Sequence, residues 1–121
     1  MERSDRISEE IRKELSDMFR NQIKDPRFPE FVSVTAVRVT RDLRYAKAYI
    51  SVYGDEEQKS NALTILTNAS GFIRHEIGRR ISMRYTPEFT FILDDSIEKG
   101  MELRRFIEET VKPDDADAQE D

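Results

Sequence analysis

There is no cysteine among the 121 residues. Disulfides and thiolate metal sites are therefore excluded, and a reducing compartment suits the chain. Histidine occurs once, as His75, on the side of its helical stretch away from the line Ile73, Ile77 and Ile81. It reads as a surface residue rather than a general base. With four glycines in all, no Gly-rich phosphate loop of the nucleotide-binding kind appears, and no cluster has metal-ligand spacing. No apolar run approaches membrane-spanning length, and the opening MERSDR carries charge where a signal peptide has an apolar core. The expectation is a soluble, cytoplasmic protein without a cofactor and without a membrane partner.

Charge is plentiful but sorted. The formal net charge is -5, from 20 Lys and Arg against 25 Asp and Glu. Asp114, Asp115, Asp117, Glu120 and Asp121 belong to a short tail without bases, so the first 112 residues are balanced. Within them, residues 31–84 hold nine bases (Arg38, Arg41, Arg44, Lys47, Lys59, Arg74, Arg79, Arg80 and Arg84) against five acids. A basic middle permits nucleic-acid binding that the overall charge would argue against. The division expected is one domain over 1–112 and a disordered acidic tail over 113–121.

Hydrophobic periodicity predicts the elements in order. A helix runs over 4–25, with Ile7, Ile11, Leu15, Met18, Phe19 and Ile23 on one stripe, and Asp25-Pro26 ends it. Residues 32–40, VSVTAVRVT, read as a strand in which Val34 lies out of phase with Val37 and Val39. After a turn at Arg41-Asp42-Leu43, residues 44–53 alternate cleanly: Ala46, Ala48, Ile50 and Val52 point inward, Tyr45, Lys47, Tyr49, Ser51 and Tyr53 outward. A third strand covers 88–94 with Phe89, Phe91 and Leu93 inward. A last helix covers 97–111, with Asp95-Ser96 as its cap.

The stretch that carries the functional reading is 61–85, NALTILTNASGFIRHEIGRRISMRY. Ala62, Ile65, Leu66, Ala69, Ile73, Ile77 and Ile81 keep one helical line through Ala69-Ser70-Gly71. Glycine and serine disfavour an unbroken rod there, so two helices share one buried line across a kink, the second starting near Phe72. A helix start followed by Arg74, Arg79, Arg80 and Arg84, against the single acid Glu76, suits a phosphate. The candidate RNA contacts are Asn68, Ala69, Ser70 and Gly71 with those four arginines. Arg41, Arg44 and Lys47 form a second candidate patch.

Asp25-Pro26-Arg27, the run Asp42-Leu43-Arg44-Tyr45-Ala46-Lys47, the break Ala69-Ser70-Gly71, and Pro87-Glu88-Phe89-Thr90-Phe91 through Asp94-Asp95-Ser96-Ile97 resemble bacterial ribosome-binding factor A over nearly all of residues 4–112. The resemblance implies an α+β, type II K-homology-like domain: a three-stranded sheet packed on helices in the order α-β-β-α-kink-α-β, with a C-terminal helix. Ala69-Ser70-Gly71 then takes the place of the Gly-x-x-Gly loop usual in that fold. It also implies a monomeric, non-catalytic factor that binds the immature small (30S) ribosomal subunit and its 16S rRNA. Late maturation and processing of that rRNA, in the cold especially, would be its task, alongside an assembly GTPase. A kink without the second glycine offers fewer backbone donors, so shape and charge should outweigh base readout.

Two rival readings come from the residues alone. Tyr45, Tyr49 and Tyr53, or the last helix, would serve a protein–protein adaptor. Asp94 and Asp95 would serve a nucleic-acid enzyme, although adjacent strand-end carboxylates point apart and helix capping explains them better.

Overall fold

The structure, a computed structural model, describes residues 3–95. The expected helix over 97–111, its cap at Ser96, and the acidic tail lie outside the described residues. Within them the order is α1 (Arg3–Asn21), β1 (Val32–Val39), β2 (Tyr45–Val52), α2 (Glu56–Asn68), α3 (Ser70–Arg80) and β3 (Glu88–Leu93). The sheet has strand order β1-β2-β3, with β2 antiparallel to β1 and parallel to β3. The parallel pair requires a crossover, and the α2-α3 pair supplies it. This is the α+β, type II K-homology-like arrangement.

One apolar face organises everything. Ala46, Ala48, Ile50 and Val52 of β2 are all buried, and they share a core with Ile11, Leu15, Met18 and Phe19 of α1, Ala62 and Leu66 of α2, and Ile73 and Ile77 of α3. The helical line therefore does run unbroken across the kink into one core. Ala48, on the middle strand, is completely buried, so a small residue lets the helices approach the sheet closely there. Tyr45 and Lys47 stand exposed on the other face.

Three local features depart from the sequence expectations. Helix α1 stops at Asn21, four residues before Asp25; its end is tightened by Gln22 and Ile23 N–H groups that both donate to the Met18 carbonyl at 2.8 and 3.2 Å. The phase problem at Val34 is a β-bulge: the pairing with β2 slips between Val34 and Ala36, which lets Val34 and Val37 both turn inward. The β1–β2 turn places Leu43 at φ 62°, in the left-handed region that a branched side chain seldom adopts. Asp42 holds it there, accepting from the Thr40 hydroxyl at 2.7 Å and from the Arg44 N–H at 3.1 Å.

Of the two strand-end acids, Asp94 has structural work. The Asp94 N–H donates to the Ile50 carbonyl at 2.6 Å, and the Thr35 hydroxyl, on the bulge, donates to Asp94 Oδ2 at 2.6 Å. A carboxylate that stitches β3 to the bulged strand explains Asp94 without catalysis.

Candidate nucleic-acid interface

The kink is one residue wide. The Ala69 N–H donates to the Ile65 carbonyl at 3.0 Å as the end of α2, and the Ala69 carbonyl accepts from the Ile73 N–H at 2.9 Å as the start of α3. Its ψ of 4° departs from the helical value and bends the axis. Helix α3 thus begins at Ser70, two residues earlier than expected, and no side chain caps its start. Asn68 is exposed there, Ala69 and Ser70 are half-buried, and Gly71 is exposed. A Cβ built on Gly71 would meet nothing within 4 Å, and its φ is not positive. Gly71 is therefore demanded neither by backbone conformation nor by packing; what it does is leave bare surface beside the helix start.

Downstream, the chain folds back against α3. Ile81 takes an extended conformation and ends the helix, and Pro87 is fully buried ahead of β3. Between them Thr86 rests on Gly78: a Cβ at Gly78 would lie 2.8 Å from Thr86 Oγ1, so glycine is what admits this loop. Arg74 Nε donates to the Thr86 carbonyl at 3.1 Å and fastens the loop from the other side.

This return forms two concavities that share Arg74, Tyr85 and Thr86. One, of about 560 Å³, is lined further by Gly71, His75, Gly78, Arg79 and Arg84. The other, of about 400 Å³, is lined further by Arg44, Tyr45 and Glu88. Together they make a groove from the kink to the rim of the sheet with four guanidinium groups and one acid. The Arg84 guanidinium lies 5.4 Å from the centre of the Tyr85 ring. Concentrated positive charge beside exposed aromatic rings is the chemistry that holds a polynucleotide.

The sequence-derived candidates divide. Gly71, Arg74, Arg79, Arg84 and Arg44 line the groove. Lys47 is exposed on the open sheet face, paired across the strands with Arg38; like charges side by side cost free energy unless an anion bridges them. Arg41 is exposed in the turn before Leu43. Arg80 differs from its neighbour: it turns back onto α1, 2.8 Å from Asp17 Oδ2 and 3.5 Å from Glu14 Oε2, and its Nε donates to Glu76 Oε1 at 3.2 Å. Glu76 is the buried charge of the described region, 7% exposed. The Arg80 hydrogen bond, aided by the charge of Arg79 and against the effect of burial, holds the Glu76 carboxyl below its ordinary range. Asp17 is lowered chiefly by the same guanidinium. Arg80, a candidate RNA contact in the sequence, therefore ties α3 to α1 and is half-buried, unlike the exposed Arg74, Arg79 and Arg84.

Tyr85 and Thr86 were not legible as groove residues, because the loop that carries them has no periodicity, and Gly78 of α3 was not, because what marks it is the approach of that loop. Arg38 was in principle accessible from the strand pairing opposite Lys47. Among the described residues no group of three or more His, Asp or Glu side chains is placed to hold a metal ion, and no helix is long and apolar enough to cross a membrane.

Residues 3–107 match the family model described as ribosome-binding factor A. The chain belongs to the ribosome-binding factor A family. Among its relatives, the ribosome-binding factor A of Acetivibrio thermocellus is 57% identical over 110 residues, covering 91% of this chain and 89% of that one. Among solved structures, the Thermotoga maritima member, determined by solution NMR, superposes with a TM-score of 0.62 at 33% identity, over 71% of this chain and 81% of that one. A homology model of the Thermus thermophilus factor, fitted into a cryo-electron-microscopy map of a complex with the 30S subunit, superposes with a TM-score of 0.55 at 26% identity, over 71% and 93%. The arginine groove is the feature of this chain on which that kinship bears.

Proposed function

We propose that this chain binds the immature 30S subunit by laying its arginine groove on 16S rRNA phosphates, and that it promotes late maturation and processing of that rRNA, including in the cold. It acts without catalysis, as a cytoplasmic monomer, and leaves before translation; an assembly GTPase is the partner expected at release. The observation that carries this reading is the groove itself: Arg44, Arg74, Arg79 and Arg84 converge on it with one acid among them. The 30S complex of the Thermus thermophilus factor supports the choice of target.

The test is co-sedimentation of the purified chain with free small subunits on sucrose gradients. Arg79→Glu combined with Arg84→Glu removes two exposed guanidiniums, of which Arg79 also lies 3.9 Å from Glu76 Oε2. Binding should fall at least tenfold per residue, the order of a charge-assisted hydrogen bond, with only a small fall in Tm from the lost Arg79–Glu76 attraction. The wild type should lose affinity with salt at roughly 0.7–0.9 log units per phosphate contact. Undiminished co-sedimentation of the double variant would overturn the reading.

An adaptor role has one observation behind it. Phe31 and Tyr53, 63% and 83% exposed, pair edge to face at 6.4 Å beyond the opposite end of β2 from Tyr45. Subunit binding that depends on this pair and ignores salt would favour it.

A further inference from the structure

The smaller concavity contains something that a phosphate clamp does not call for. Glu88 is the only acid among the described residues lining the groove, and a carboxylate among guanidiniums lowers the attraction for a phosphate. Nor is it needed to hold an arginine. Arg74 is already fixed by its Nε bond to the Thr86 carbonyl, whereas Glu88 Oε1 stands 3.9 Å from Arg74 Nη1, too far for a hydrogen bond, and the carboxylate stays exposed. Glu88 is a register partner of Tyr45 on the parallel strand pair, so carboxylate and ring rise side by side from the same face. Tyr85 lines the same concavity.

We infer that this concavity takes one unpaired guanine base of the bound RNA, stacked on tyrosine and read on its Watson–Crick edge by Glu88. The inference rests on the RNA-binding reading above and adds a base preference to it. An ionised carboxylate has two acceptor oxygens and no donor. Guanine is the nucleobase that offers two parallel donors, N1–H and the 2-amino group, and can satisfy both oxygens at once. Adenine and cytosine set a ring acceptor beside their amino group, which a carboxylate repels; uracil has a single N–H between two carbonyls. Arg44 and Arg74, at the rim, are placed for the phosphates on either side of the base.

The experiment measures binding of the full chain to short oligouridines carrying one central guanosine, inosine, adenosine or cytidine. Guanosine should bind about tenfold tighter than adenosine or cytidine, the order of one bidentate pair, with inosine, which lacks the 2-amino group, between them. Glu88→Ala should erase the preference and, by removing the one acid among the described groove residues, raise oligouridine affinity slightly, with Tm as it was. Equal binding of all four oligomers, or no measurable binding of any, overturns the base pocket and leaves small-subunit co-sedimentation to be judged separately. A Glu88→Ala variant that weakens all four alike makes Glu88 a support for Arg74, and overturns it too. Displacement of the oligomer by GMP at comparable concentration would assign the pocket to a free nucleotide and overturn the RNA-borne base.

Discussion

Helices α2 and α3 begin in opposite ways although they lie on one line. At the start of α2, Asp55 Oδ1 accepts from the Gln58 N–H at 2.8 Å while Gln58 Oε1 accepts from the Asp55 N–H at 2.9 Å, a reciprocal cap, and Glu56 and Glu57 add negative charge in the first turn. The positive end of that helix is thereby neutralised from within. At the start of α3 there is no side-chain cap and no acid in the first turn, Gly71 leaves the surface bare, and Arg74 stands one turn on. A start that the protein answers for itself has no use for an anion. The start left without an answer, next to a groove of arginines, is the one that the proposed RNA contact would use.

A second contrast sits inside α3 and sets the largest effect. Arg79 and Arg80 are adjacent, and about 100° of helical rotation separates them; one faces the groove, the other is clamped to α1 and Glu76. Arg80→Met should therefore lower Tm by roughly 5–10 °C, because it leaves the buried Glu76 without its hydrogen-bonded partner, whereas Arg79→Met, which removes only the longer 3.9 Å contact to Glu76, should lower Tm far less and weaken subunit binding. Thermal scans beside co-sedimentation separate the two, and equal behaviour would erase the contrast. Acid sharpens it. The folded-state pKa values of Glu76 and Asp17 lie below their ordinary 4.5 and 3.8, so this stabilisation is fully present above that range and is lost as pH falls through the depressed values. The Tm gap between wild type and Arg80→Met should be widest at neutral pH and close in acid.

That pair also marks how far the sequence could be read. Composition and periodicity were enough for element order, the buried helical line and the clean alternation of β2, because each depends on burial patterns within a few residues. The bulge at Val34–Ala36 was visible only as a phase error, since a bulge is settled by the partner strand. The separation of Arg79 from Arg80 was out of reach: it depends on Glu14 and Asp17, more than sixty residues away and on another helix. Groove residues Tyr85 and Thr86 were hidden for a like reason, being placed by a loop returning onto α3 rather than by local pattern, and Gly78 of α3 is marked only by that loop's approach. Gly71 was marked as part of the break in the helical line, whereas the break is at Ala69 and Gly71 lies inside the first turn of α3.

The sealed helix start provides the next measure. Asp55→Ala removes the capping acceptor and should cost about 1 kcal/mol, seen as a Tm lower by roughly 4–8 °C, with small-subunit affinity unchanged. A loss of affinity would mean that the two helix starts are not independent.

The smallest effect on stability is at the open start. Gly71→Ala adds a methyl where nothing lies within 4 Å, at a helical position without positive φ. Replacing glycine by alanine in a helix gains about 0.5–1 kcal/mol, so Tm should rise by a few degrees. Even Gly71→Val should leave the helix intact, contrary to what a strained kink would require. Binding should move the other way, because each added methyl holds an approaching sugar-phosphate backbone off the surface between Asn68 and Arg74. Alanine should weaken co-sedimentation slightly and valine further, in order of side-chain size and not of stability. If affinity instead followed Tm, or ignored the substitution altogether, the bare patch at the start of α3 would be incidental, and the groove would hold RNA through its arginines alone.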